Sequence, residues 1–176
     1  AMWDTLAPGK EKIHMWRLFR NGFTVGHKLQ RRRIKAGVFC TACGRDETIY
    51  HRFWGCPHSV LYWEKKLQSK KGIAVAIPPG RVDSRSAVAR WPLEWFEHAG
   101  EEERAVLIQS AYALWLAQNE AKDGKRIEDP HEIMMQVLKL VEEWQQVHAK
   151  PITERTPSTR ARWEPPEEGW FKANAD

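Results

Sequence analysis

A chain of 176 residues with ten tryptophans can bury a real core, and it shows neither a run of eighteen apolar residues for a membrane span nor a charged-then-apolar leader, so cytoplasm or nucleus is the expected setting. Its net charge of +5 is unevenly spread: residues 1–72 hold fifteen Lys/Arg against five Asp/Glu, and residues 73–149 eight against thirteen. A basic first part points to a polyanion, unless the acidic second part faces it and neutralises the field.

The first predicted element is a helix over about 10–20, with Ile13, Trp16 and Phe19 at helical spacing, Asn21-Gly22 as its C-cap and Phe23 in apolar contact behind it. Thr24 is the expected cap of a second turn of helix through Leu29, which runs into Arg31-Arg32-Arg33 and Ile34. Three consecutive arginines point in different directions around a helix, so one or two can meet phosphates while the third is solvated.

All three cysteines and a histidine follow within one short stretch, Cys40-Thr-Ala-Cys43-Gly44 to His51 and Cys56, spaced C-x₂-C-x₇-H-x₄-C. An odd cysteine count without secretory context argues against disulfides, and a C-x₂-C pair lets one tight turn offer two thiolates to the same Zn²⁺. Gly44 suits the positive φ that such a turn often needs. Cys40, Cys43, His51 and Cys56 fill a tetrahedral shell and leave no position for an activated water, so the predicted metal is structural. His58 is the second choice to His51, because it sits just after Pro57, where a helix should begin.

Thr48 to Trp54 reads as a helical turn that carries His51 to the metal and aims Ile49 and Phe53 at the core, with Tyr50 and Trp54 either buried or stacked on bases. Pro57 opens a helix to about Lys70, with Val60, Leu61, Trp63 and Leu67 inward and Gly72 closing it. Lys65, Lys66, Lys70 and Lys71 lengthen the basic surface begun by Arg31, Arg32 and Arg33. Ile73 to Arg90, broken by Pro78-Pro79-Gly80, is a loop or linker.

An acidic, Trp-rich block spans 91–149. It holds a short helix from about Pro92 to His98, a long one from Glu101 to about Asp123 stopped by Gly124, and a third opened by Asp129-Pro130 and running to about His148. Leu107, Ala111, Leu114, Trp115 and Gln118 mark the inner stripe of the second, and Ile133, Val137, Val141, Trp144 and His148 that of the third. The predicted fold is therefore mainly α: a zinc-knuckle-centred helical region over 3–72, packed with or followed by a helical hairpin block over 91–149. Residues 150–176 form a Pro-, Thr- and Arg-rich linker and a final strand-like segment.

Taken together, Trp16-Arg17, the arginine run, Cys40-x₂-Cys43, His51-x₄-Cys56 and the Ala113-Leu114-Trp115 to Asn119-Glu120 segment resemble the zinc-binding region of plant LINE-type (non-LTR) reverse transcriptases. Trp163-Glu-Pro-Pro through Lys172-Ala-Asn-Ala-Asp176 is similar to the first strand of the RNase H-like domain that commonly follows in that family, with Asp176 at the place of its first catalytic carboxylate. The resemblance implies a retroelement-derived module without the polymerase, and no catalysis in this stretch, because RNase H chemistry needs several carboxylates around two metal ions.

Two functional classes follow. One is binding of single-stranded RNA or DNA along the basic 1–72 region, with aromatic and backbone groups of the knuckle meeting the bases. The other is a protein-interaction scaffold, a stand-alone host protein bound by another protein, a pathogen protein included, with a purely structural zinc. Contiguous Arg31, Arg32, Lys65 and Lys71 would favour the first, and an exposed patch around Trp91 or Trp95 the second.

Overall fold

The computed structural model describes residues 2–34, 38–67 (backbone alone from 65) and 94–148. A 3₁₀ turn at Met2–Asp4 leads to α1 (Gly9–Phe19) and α2 (Gly26–Arg31). The cysteine-bearing segment ends in a wide π-helical turn, His51–Gly55, and runs into α3 (Pro57–Leu67); a short helix at 94–98 (α4), then α5 (Glu101–Lys122) and α6 (Pro130–His148) complete the element order. The only β pairing among the described residues is an isolated antiparallel bridge between Phe39 and Asp46. None of the described helices is long and apolar enough to cross a membrane.

Local chemistry sets the boundaries. Asn21 takes φ +51 after α1, and the Gly22 N–H reaches back to the Arg17 carbonyl at 2.7 Å, closing a Schellman-type cap over which Phe23 is buried. Glutamates fill the first turn of α5, where Glu103 accepts the Gly100 N–H at 2.7 Å, and Gly124, at φ +85, ends the helix. Asp129 accepts the His131 N–H at 2.8 Å and Pro130 occupies the first position of α6. Thr24 caps nothing: α2 starts one residue later than that expectation allows, behind Val25, without a side-chain cap.

Helix α5 is the central element, because α1, the π turn and α6 all pack on it while α3 packs on α6. Val106, Leu107, Ile108, Ala111 and Leu114 are buried on it, which is why so much of its circumference is apolar.

Two predicted stripes are displaced. On α1, Ile13 and Trp16 are 46% and 42% exposed, and the buried face is Glu11, His14, Met15 and Leu18. On α3, Leu61 is 49% exposed, while His58, Ser59, Tyr62 and Trp63 turn inward. In each case the inner face includes polar residues that an apolar count passes over. On α3 three of them are satisfied: Tyr62 donates to Ser110 Oγ at 2.6 Å, Ser59 to the Arg52 carbonyl at 2.7 Å, and Trp63 Nε1 to the Phe53 carbonyl at 2.7 Å, whereas His58 keeps one ring nitrogen, Nδ1, unpartnered.

His14 lies among the rings of Phe23, Phe53, Tyr112 and Trp115, with centroids 4.5 to 5.9 Å away, and neither ring nitrogen has a hydrogen-bond partner. Burial, with the Arg52 and Arg17 charges, holds its pKa down at about 3, so the ring is neutral in the folded protein. Below the unfolded value of about 6.5 the unfolded chain binds a proton that the native state refuses, so stability is full above that pH and is lost toward pH 3, by up to about 1.4 kcal/mol per unit. Glu11, raised by burial, works in the opposite sense, gaining stability as pH falls through its raised value. The difference in urea stability between wild type and His14→Phe, measured from pH 7 to pH 4, isolates the histidine: the wild type is expected to lose the extra stability and the variant to keep it.

Candidate metal centre

The turn that holds Cys40 and Cys43 is a miniature hairpin. Cys40 N–H donates to the Arg45 carbonyl at 2.8 Å, Gly44 N–H to the Cys40 carbonyl at 2.7 Å, and the Phe39–Asp46 bridge closes the arms. Gly44 has φ +71, the conformation the sequence assigns to it, and open space beside it. The backbone of Ala42 and Cys43 in the turn helps to lower the pKa of the Cys40 thiol. Opposite the hairpin, Thr48 Oγ1 accepts the His51 N–H at 2.9 Å, and the Cys56 N–H closes the π turn on the His51 carbonyl at 2.6 Å. The wide turn places His51 and Cys56 on the same side, a use of π geometry common at functional sites.

Cys40, Cys43, His51 and Cys56 thus converge, with one donor atom from each and all four atoms within 4.8 Å of one another. Cys40 and Cys56 sulfurs are 3.7 Å apart, and Cys43 Sγ is 3.2 Å from His51 Nε2. Two thiolates held tetrahedrally on one zinc at about 2.3 Å sit about 3.7 Å from each other, so the donor set fits that ion. The hydrogen bond between the Cys40 and Cys56 sulfurs favours one shared proton over two, so the pair loses its first proton well below the ordinary thiol range and holds the second above it. Zinc bound here would join the hairpin to the start of α3, which no disulfide does, since all three cysteines are free.

His58 is not in this group. It is buried on α3, with Nε2 2.8 Å from the Glu128 carbonyl just ahead of α6, where it ties two elements together. Ile49 and Phe53 are buried as the sequence indicates; Trp54 is buried too, and Tyr50 half-buried.

What sequence reasoning missed is the ionic support behind the cluster. Arg52 and Glu47 are both buried and form an ion pair at 2.8 Å; Glu47 Oε2 also meets Lys122 Nζ at 2.5 Å and accepts the Gly26 N–H at 3.0 Å. Arg52 also donates to the Trp115 carbonyl at 3.1 Å and to Asn119 Oδ1 on α5. The residue after His51 is therefore a bolt between the cysteine segment and α5, and it adds a positive charge beside Cys40. Gly26, whose N–H Glu47 accepts, must be glycine for a steric reason: a Cβ there would stand 1.8 Å from the Val38 carbonyl oxygen. A glutamate between the two ligand pairs, five residues ahead of an arginine that directly follows His51, was the available signal.

Of the residues assigned to nucleic acid, Arg31, Arg32 and Arg33 are exposed at the end of α2, with Arg33 at φ +59. Arg31 and Arg32 line a cavity of about 450 Å³ together with Asn21 and Lys28. Lys65 and Lys66 lie on the backbone of α3 with side chains outside the described residues, and Lys70, Lys71, Trp91 and Asp176 lie outside them altogether. Phe39, overlooked in the sequence although it immediately precedes Cys40, is 56% exposed.

Residues 1–63 match the model of the family described as zinc-binding in reverse transcriptase, a stretch that contains all four converging residues. No curated protein and no solved structure matches the chain.

Proposed function

We propose that this chain is a non-catalytic zinc-binding module, derived from a LINE-type reverse transcriptase of plant kind, that binds single-stranded nucleic acid through its basic N-terminal half. The observation that carries the reading is the cavity shared by Lys28, Arg31 and Arg32, which has no carboxylate among its described lining residues. Backbone phosphates are the complementary ligand for converging guanidinium and ammonium groups. Phe39, exposed on the hairpin beside the metal cluster, is a surface on which an unpaired base can stack. Of the two tryptophans whose exposure would favour the scaffold reading, Trp91 and Trp95, Trp95 is partly buried against the core and Trp91 lies outside the described residues.

The resemblance of 163–176 to an RNase H-like first strand falls outside the described residues and adds no catalytic group to this reading.

Titration of a labelled single strand at increasing salt tests it. Neutralising roughly three to five phosphates gives log K a slope against log[salt] of about −0.7 per contact, so binding fades by a few hundred millimolar salt. Changing Arg31, Arg32 and Arg33 together to Ala should flatten the slope and leave the fold intact, because all three side chains are exposed. Absence of any salt-sensitive binding at high micromolar protein would reject nucleic acid in favour of a protein partner.

A further inference from the structure

Beside the Asn21-Gly22 turn lies a second cavity, of about 540 Å³, lined among others by Lys10, His14, Arg17, Tyr112, Trp115 and Asn119. Its size falls within the range of about 300 to 1,000 Å³ typical of small-molecule sites. The wall is aromatic: Tyr112 and Trp115 have ring centroids 5.9 Å apart and tilted by only 34°. The rim is cationic. Lys10 Nζ sits 5.2 Å above the Tyr112 ring, Arg17 is exposed, and neither has an ion pair among the described residues. No carboxylate is among the described lining residues.

The inner end is polar and unsatisfied. His14, only 5% exposed, has two ring nitrogens without protein partners, which is costly for a buried imidazole. Asn119 uses Oδ1 to accept from Arg52, which leaves its amide NH₂ with no partner among the described residues. Aromatic walls, two exposed cations, the buried unpartnered His14 ring and the half-buried Asn119 amide exclude two ligand types. A cationic ligand is repelled by Lys10 and Arg17, and a purely aliphatic one leaves His14 and Asn119 unpaired.

We infer that this cavity is a nucleotide site, in which a nucleobase enters along Tyr112 and Trp115 toward His14 and Asn119 while its phosphate is held by Lys10 and Arg17. The nucleotide is either free or one unit of a single strand. Asn21 borders the arginine cavity and Gly22 this one, so a strand with phosphates on Lys28, Arg31 and Arg32 can place a base here. In that second form the inference rests on the proposed nucleic-acid reading.

Calorimetric titration of the intact chain with AMP and UMP, and with a short labelled single strand, separates the cases. Lys10→Glu/Arg17→Glu, at two exposed positions, should weaken both kinds of binding at least tenfold, and His14→Phe, which keeps an aromatic ring in the cage, should weaken binding while thermal unfolding shows it folded. Mononucleotide binding lost in these variants supports the site even where no strand binds, an outcome that would overturn the nucleic-acid reading alone. Strand binding that responds to the Arg31, Arg32 and Arg33 changes but not to these variants, with no mononucleotide bound, overturns the nucleotide site and leaves that reading standing. No binding of either ligand overturns both.

Discussion

Purified under reducing conditions, the protein is expected to carry one zinc per chain, and Cys43→Ser or a strong chelator should remove it and unfold at least residues 38–56. Structural zinc in small peptides contributes on the order of 10 kcal/mol or more to folding, comparable to the whole stability of a typical domain. Here the share should be large, because the hairpin around Cys40 has one β bridge and little else to hold it against His51 and Cys56. The α5–α6 part of the core, built on Leu107, Ala111, Leu114, Ile133, Val137 and Val141, lies outside the knuckle, so those helices should outlast it, although Ile49, Phe53 and Trp54 are lost from the same cluster. A loss of even 5 kcal/mol lowers Tm by roughly 10–20 °C for a chain of this size. Metal analysis, near-UV circular dichroism and a melting curve check this together, and a well-folded sample with metal content near zero would reduce the cysteines to core residues. His51→Ala should weaken the metal, and His58→Ala should retain it, since His58 Nε2 is engaged with the Glu128 carbonyl. The reverse pattern would exchange their roles.

Much of this architecture was legible because it depends on residues with few alternatives. The C-x₂-C pair, the later histidine and the last cysteine announce a metal whatever surrounds them, and Gly124 with Asp129-Pro130 separates α5 from α6 by backbone chemistry alone. Orientation was less legible. Helix α3 turns Tyr62 inward and Leu61 outward because Ser59 and His58, which an apolar count ignores, belong to its inner face and find partners there. Helix α1 likewise turns His14 and Glu11 inward, there without hydrogen-bond partners for the His14 ring nitrogens or for Glu11 Oε2. Burial of these groups is decided by partners distant in sequence, such as Ser110 for Tyr62 and the aromatic cage for His14, and no local periodicity encodes them. The arginine run was readable as charge, but the cavity that Arg31 and Arg32 share with Lys28 exists only once the Asn21 turn brings its carbonyl to the Lys28 ammonium.

The same reasoning sets the expected outcome at Glu47, whose replacement by Ala should destabilise the protein by about 3–5 kcal/mol. The carboxylate is fully buried and meets Arg52, Lys122 and the Gly26 N–H at once. Removing it leaves the buried Arg52 guanidinium without its counter-ion, and truncating one partner of a buried pair costs far more than the pair adds over an apolar replacement. At this chain length the change corresponds to a fall in Tm of roughly 6–20 °C. Lys122, 19% exposed, can turn to water, so most of the penalty falls on Arg52. A double variant, Glu47→Leu with Arg52→Met, removes both charges and should recover a good part of the loss, giving a coupling energy of a kilocalorie or more, on the order of that seen for residues in one network. Because Arg52 follows His51 and bonds to α5 at Trp115 and Asn119, Glu47→Ala should also weaken zinc binding, although Glu47 is no part of the metal cluster. Denaturant melts of Glu47→Ala, of the singles Glu47→Leu and Arg52→Met that close the cycle, and of the double, each with metal content measured, check both statements. A Glu47→Ala loss below about 1 kcal/mol with zinc retained would mean that the pair behaves like an exposed one, and that the knuckle is not fastened to α5 through Arg52.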